Sequence, residues 1–212
     1  ELEQVSAAQK LDACLNIEKA AVSSQPTVTQ CSGTRVGTAS GEIRLCNSYG
    51  LNLHHRSNMY LAYTDAIALE GDSTATAMAF PSGRNFAEVD PQALGAKAAR
   101  DAAEALHGSP VPAGSYRIIL RWDAMQALLE TFCGIFSAEN AQQGMSLLNG
   151  REGEAIAAPC VTLMDDPLLP GGFASSPFDE EGVACRTKAV VEAGVLKTLL
   201  HNRKTAKKQG VA

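Results

Sequence analysis

Residues 42–56 read Glu-Ile-Arg-Leu-Cys-Asn-Ser-Tyr-Gly-Leu-Asn-Leu-His-His-Arg. Glu42–Cys46 and Leu51–Arg56 predict two short strands, and Asn47-Ser48-Tyr49-Gly50 between them supplies the Asn and Gly that accept turn conformations. Outward from this hairpin, Thr27 to about Phe86 has one texture: segments rich in Thr, Val, Ile and Tyr, punctuated by Gly33, Gly37, Gly41, Gly71 and Gly83. That pattern predicts an antiparallel meander. Helices are expected on both sides of it. Residues 5–22 carry Ala7, Ala8, Leu11, Cys14, Leu15 and Val22 on one stripe, and Pro26 stops the pattern. On the other side Asp90 caps, Pro91 takes the first helical position, Leu94, Ala98, Ala102, Ala105 and Leu106 share a face, and Gly108 ends the helix. Clustered strands with flanking helices predict an α+β fold with antiparallel or mixed sheets, since a doubly wound fold would alternate strand and helix.

The run Gly108-Ser109-Pro110-Val111-Pro112-Ala113-Gly114 is the best linker in the chain, with prolines and glycines that favour extended or turn geometry. Two domains are therefore expected, residues 1–109 and 110–212. In the second, Tyr116–Arg121 predicts a strand. Asp123 is expected to cap a helix whose Met125, Leu128, Leu129, Phe132, Ile135 and Phe136 share a face. A strand is predicted for Ile156–Met164. Val183–Val191, Glu192-Ala193-Gly194 and Val195–His201 predict a hairpin.

The chain has 212 residues, 45% hydrophobic and 19% charged, which excludes wholesale disorder. Its net charge of −5 argues against a general polyanion binder, so nucleic acid is not expected as a direct partner. The basic run Arg203, Lys204, Lys207 and Lys208 is expected to be a solvated face. No stretch approaches the roughly 18 to 20 apolar residues of a membrane helix, and no secretory leader is visible; no membrane partner and a cytoplasmic location are expected. The cysteines at 14, 31, 46, 133, 160 and 185 form no C-x-x-C pair, which predicts reduced, mostly buried thiols. Phosphate-loop, dinucleotide, serine-hydrolase and H-E-x-x-H signatures are all missing. His54 and His55 are adjacent, so on a strand they project to opposite faces and cannot grip one ion. His107, in the last turn of its helix, suits the negative end of the dipole. Acids are dense from 151 to 182, where Asp165, Asp166, Asp179 and Glu181 suggest either solvated turns or a divalent-metal site.

Five segments, Gly114–Leu120, Gln143-Gly144-Met145-Ser146, Val161–Pro167, Phe178-Asp179-Glu180-Glu181-Gly182 and Gly194-Val195-Leu196-Lys197, stand in an order and spacing that resemble the TldD/PmbA family, whose PmbA members are also called TldE and modulators of DNA gyrase. Residues 1–110 fit less sharply, through Asn47–Gly50, Arg56-Ser57, Tyr60 and the helix over 90–107. Family members are about twice this length, so a fragment lacking both ends is expected. The resemblance implies a two-subunit intracellular protease that cleaves unfolded peptides and matures peptide precursors. In it a zinc-bearing TldD-type chain pairs with a TldE-type chain that lacks the metal site. The zinc motif of the TldD type, H-E-x-x-x-H, would fall on Leu129-Glu130-Thr131-Phe132-Cys133-Gly134.

Glu130 stands where the family has its general base, but Leu129 and Gly134 stand where both histidines should be. Neither can bind zinc, and without a bound metal a lone Glu has no polarised water to deprotonate. The expectation is a heterodimer subunit with no catalytic residue and no cofactor of its own, the zinc residing in a TldD-like partner. Asp179, Glu181 and Gly182 are expected to contact peptide or partner, and the edge of the 183–201 hairpin to hold an extended peptide. A homodimer is the other assembly considered. The alternatives in function are a metalloenzyme built on the acids of 165–181, and a regulator associated with DNA gyrase.

Overall fold

The computed structural model describes residues 2–172 and 174–211. Two compact units make up the chain, one comprising Glu1–Pro112 with Pro170–Ala174, the other Ala113–Leu169 with Ser175–Ala212.

In the first unit, helix α1 (Ala7–Ser24) opens with a reciprocal cap: Ser6 Oγ accepts the Gln9 N–H, and Gln9 Oε1 accepts the Ser6 N–H. The predicted meander is present, with longer strands than the sequence suggested. β1 (Val28–Cys46) and β2 (Asn52–Glu70) pair antiparallel over their whole length, placing Leu45 opposite Leu53 and Glu42 opposite Arg56. At the turn, Asn47 Oδ1 accepts the N–H groups of Tyr49 (2.9 Å) and Leu51 (3.1 Å), and Gly50 adopts φ +93°. β3 (Ser73–Ala79) and β4 (Ser82–Gly83) both pair with β2. Helix α2 (Pro91–Ala105) follows Asp90, whose Oδ1 accepts the Gln92 and Ala93 N–H groups at 3.0 Å.

One face of β2 is buried in strict alternation, Tyr60, Ala62, Thr64, Ala66 and Ala68. With Ile17 and Ala21 of α1 and Leu94, Ala98, Ala99 and Ala102 of α2, it forms an alanine-rich core. The predicted stripe of α1 is corrected here. The helix buries Ala13, Ile17, Ala20 and Ala21, while Leu11 and Leu15 remain 58% and 55% exposed. Close approach decides the face: a Cβ on Gly95 of α2 would lie 2.7 Å from Ala21 N and 2.8 Å from Ala20 Cβ. Only small side chains fit that seam.

The second unit contains α3 (Trp122–Phe132), α4 (Ala138–Gln142), strands β5 (Leu163–Asp165), β6 (Lys188–Glu192) and β7 (Val195–Leu196), and α5 (Arg203–Gln209). The strands form an antiparallel sheet in the order β5-β6-β7. Ala193 (φ +48°) and Gly194 (φ +82°) make the tight turn between β6 and β7. Its core is Ala138, Ala141, Leu148, Val190, Val191, Leu196 and Leu199. Three expectations change. Tyr116–Arg121 forms no strand, because among the described residues no strand pairs with it. The strand expected over 156–164 shrinks to Leu163–Asp165, the residues that face β6. The 183–201 hairpin is confined to β6 and β7. The cysteines are free, and none is buried: Cys46, Cys133 and Cys160 are exposed and the others intermediate.

Candidate functional site

Helix α3 and the turn that follows it carry the positions that the resemblance aligns with a zinc motif. Its start differs from expectation. Arg121 is the capping residue and gives no side-chain cap; Asp123 sits in the first turn, accepting the Ala124 N–H (2.9 Å) and pairing with the Arg121 guanidinium (2.7 Å). The carboxylate still favours the positive end of the helix. Leu129 lies at helical spacing with Trp122, Met125 and Phe132 on an apolar face. Glu130 points elsewhere and accepts a 2.8 Å hydrogen bond from Gln126 Nε2, one turn back. Gly134 lies beyond the helix in the 3-10 turn Cys133–Phe136, and its carbonyl accepts Asn140 Nδ2 at 2.8 Å. Of the three positions only Glu130 has a metal-donor side chain, so this set does not fit a zinc ion.

The loop Gln143–Ser146 has a structural task. Gly144 takes φ +77°, and buried Ser146 donates its hydroxyl to the Ile135 carbonyl while accepting the Leu148 N–H at 3.2 Å. It ties the turn after α3 to the residues following α4.

Asp165, Asp166, Asp179 and Glu181 are each engaged separately. Asp165 pairs with Lys188, its partner in the β5–β6 register. Asp166 Oδ1 accepts Thr187 Oγ1 (2.6 Å) and the Leu168 N–H (3.3 Å). Asp179 Oδ1 closes a turn by accepting the N–H groups of Glu181 (2.9 Å) and Val183 (2.8 Å), with Gly182 at φ +77°. Glu181 accepts the Arg203 N–H at the start of α5 (2.7 Å). Among the described residues no group of three or more His, Cys, Asp or Glu side chains could hold a metal ion. The pairing of Asp165 with Lys188 escaped sequence reading, because only the strand register brings residues 23 apart together. Nearby, burial first and the charge of Asp179 second push the Cys185 thiol up from its ordinary value.

The histidines do not converge. His54 lies 2.9 Å from Glu42 on one face of the β1–β2 ribbon, His55 takes the other face, and His107 lies just past α2, 3.9 Å from the Glu70 carboxylate. His201 Nδ1 is 3.3 Å from Thr205 Oγ1. The basic run forms α5, capped by Asn202 and ended by Gly210 in the left-handed conformation; Thr205 faces inward, and the four basic residues are exposed or rimmed by acids such as Glu139, 3.6 Å from Lys204. No described helix is long and apolar enough to cross a membrane.

Comparison with known proteins places this arrangement. Residues 1–106 match the PmbA/TldA metallopeptidase central domain, and residues 113–212 match the PmbA/TldA metallopeptidase C-terminal domain. A metalloprotease of Methanothermobacter thermautotrophicus is 31% identical over 170 residues, 78% of this chain and 37% of its own length. A Thermotoga maritima structure described as a modulator of a DNA gyrase superposes with a TM-score of 0.95 at 31% identity, covering 100% of this chain and 49% of that one. The structure of TldE from Thermococcus kodakarensis shares the fold, with a TM-score of 0.84 at 22% identity, covering 99% of this chain and 48% of that one. The chain thus spans about half the length or less of these relatives. Both of its units fall within one family pattern, and the chain belongs to the PmbA/TldD family.

Proposed function

We propose that this chain is the metal-free, TldE/PmbA-like subunit of an intracellular two-chain zinc metalloprotease that degrades unfolded peptides and matures peptide precursors. The zinc and the hydrolytic water belong to a TldD-like partner, and this chain helps form the chamber through which peptide reaches them. One observation carries the reading: at the motif positions on α3 and the turn after it, Leu129 and Gly134 offer no donor, and Glu130 is bonded to Gln126. A carboxylate alone does not lower the pKa of water as a bound metal does. Asp179, Glu181 and Gly182, in a turn with two exposed acidic residues, are the residues we assign to partner or peptide contact.

The test is the mass in solution of the family-length protein, alone and mixed with the zinc-bearing relative from the same genome, with metal content and peptidase activity read on each species. A mixed complex with activity, from a chain that holds no stoichiometric zinc by itself, is the expected result. Stoichiometric zinc in the isolated chain, or self-association that ignores the partner, overturns the reading.

A further inference from the structure

The sheet of the first unit has its helices on one face only. Side chains of β2 alternate, so while Ala62, Ala66 and Ala68 pack with α1 and α2, Leu61, Tyr63, Asp65 and Ile67 line the other face. Strand register extends that face sideways: Arg35 of β1 stands opposite Tyr63, and Met78 of β3 opposite Asp65. Met78 is 58% exposed, and Phe80, just past the end of β3, 56%.

One row across this face combines two rings and a cation. The Tyr63 and Phe80 rings stack with centroids 6.3 Å apart, and the Arg35 guanidinium lies 5.8 Å from the centroid of the Tyr63 ring. Arg56, Arg121 and Arg151 each hold a carboxylate. Arg35 is exposed and has no carboxylate or hydrogen-bond acceptor among the described residues, so its fork of N–H donors is open. The acid on the same face, Asp65, is engaged by Ser32, whose hydroxyl it accepts at 2.7 Å. Gly33 and Gly37 flank Arg35 on the same side of β1, and a Cβ on Gly33 would meet nothing within 4 Å, so the floor beside the guanidinium is low and clear.

We propose that this face binds the carboxylate end of a peptide, with Arg35 forking the terminal carboxylate and an apolar last side chain lying on Tyr63, Phe80 and Met78. The charge on the face selects the ligand. One guanidinium balances one negative charge, and its planar fork matches a carboxylate in bidentate fashion. A nucleotide would also find rings to stack on, but its phosphates bring further negative charge, which Asp65 one row away and a chain of net charge −5 oppose. Every peptide carries a terminal carboxylate, so such a site holds ends without reading sequence. The choice of a peptide rests on the proposed function; the geometry and charge of the face do not.

The probes are two eight-residue peptides of one sequence, free of Asp and Glu and ending in Leu, one with a free C-terminal carboxylate and one amidated. Each is titrated by calorimetry into the family-length protein, without zinc and without a partner. The free acid should bind roughly tenfold more tightly than the amide, as the loss of a hydrogen-bonded charge predicts. Arg35→Gln should erase that difference, Arg35→Lys should keep part of it, and Phe80→Ser should weaken both peptides. Equal affinities in the parent protein, no binding of either peptide, or a preference that survives in Arg35→Gln overturns the proposal. So does octanoate that competes as well as the free-acid peptide, which reassigns the face to apolar anions, or an oligonucleotide that binds more tightly than the peptide. Circular dichroism checks each variant. Should Arg35→Gln not fold, Phe80→Ser decides, and unchanged binding of the free acid there sinks the idea. Because the titration uses neither zinc nor partner, failure of this site and failure of the subunit reading are separate results.

Discussion

Replacing Gly95 by alanine tests the account of the first unit at its tightest point. The added Cβ would lie 2.7 Å from Ala21 N, 2.8 Å from Ala20 Cβ and nearer still to the Ile17 carbonyl oxygen. Two of those atoms are backbone and cannot rotate away, so α1 and α2 must separate. Overpacking of this kind costs about 3 kcal/mol, the upper part of its usual range, and the better helix propensity of alanine returns about 1 kcal/mol. The net loss is about 2 kcal/mol, or roughly 8 °C in melting temperature for a unit of this size. Gly33→Ala is the control, since its Cβ meets nothing within 4 Å. Because two units melt together in one chain, circular dichroism should be paired with hydrogen exchange of the α2 amides, which reports the first unit alone. A Gly95→Ala chain that melts at or above the parent temperature refutes the close-packed seam.

Three further outcomes follow from named contacts. Gly194→Ala should loosen the second unit by about 1 to 3 kcal/mol, since the residue sits at φ +82° with its Cβ site against the Ala157 and Ala158 carbonyls; hydrogen exchange at Val190 and Lys197 should rise, and unchanged protection would contradict it. Burial first and the charge of Glu88 second raise the Tyr60 phenol above its ordinary 10.0. The native state therefore holds a proton that the unfolded chain releases, so its contribution to stability is complete below pH 10 and is lost as pH rises beyond it. Tyr60→Phe should flatten that alkaline fall, and identical alkaline melting curves would speak against it. Iodoacetamide with mass-spectrometric readout should modify exposed Cys46, Cys133 and Cys160 before Cys14 and Cys185, whose thiols burial pushes up; early labelling of Cys14 would contradict the packing of α1.

Much of the first unit was legible because its signals are local. The Asp90-Pro91 start of α2 and the Asn47–Gly50 turn are written in four residues or fewer, and the structure uses both. The face of α1 was not legible. Leu11, Leu15 and Val22 make the bulkier stripe, yet α2 approaches so closely at Gly95 that Ala20 and Ala21 go inside instead. Which side of a two-sided helix is buried depends on a neighbour 74 residues beyond Ala21, and periodicity carries no information about it. Tyr116–Arg121 failed for the complementary reason: its short apolar run, Ile118-Ile119-Leu120, suits a strand, but a strand exists only beside another.

The candidate site divides the same way. Whether the aligned motif positions fit a zinc ion is a question of donor atoms, and donors are properties of single residues; Leu129 and Gly134 bring none. What Asp165, Asp166, Asp179 and Glu181 do was ambiguous in sequence, since paired carboxylates and solvated turns look alike. The structure separates them by giving each a different partner, Lys188, Thr187, two turn amides and the first amide of α5. Their acceptor atoms thus fix the loops between β5, β6 and α5, so removing the acceptor at any one should disturb loop order. Glu181→Gln is the informative case. The amide oxygen still accepts the Arg203 N–H, so α5 should stay docked while the exposed charge is lost. Weaker association with a TldD-like partner in that variant would then report the acidic surface itself, and an unchanged association would remove Glu181 from the contact.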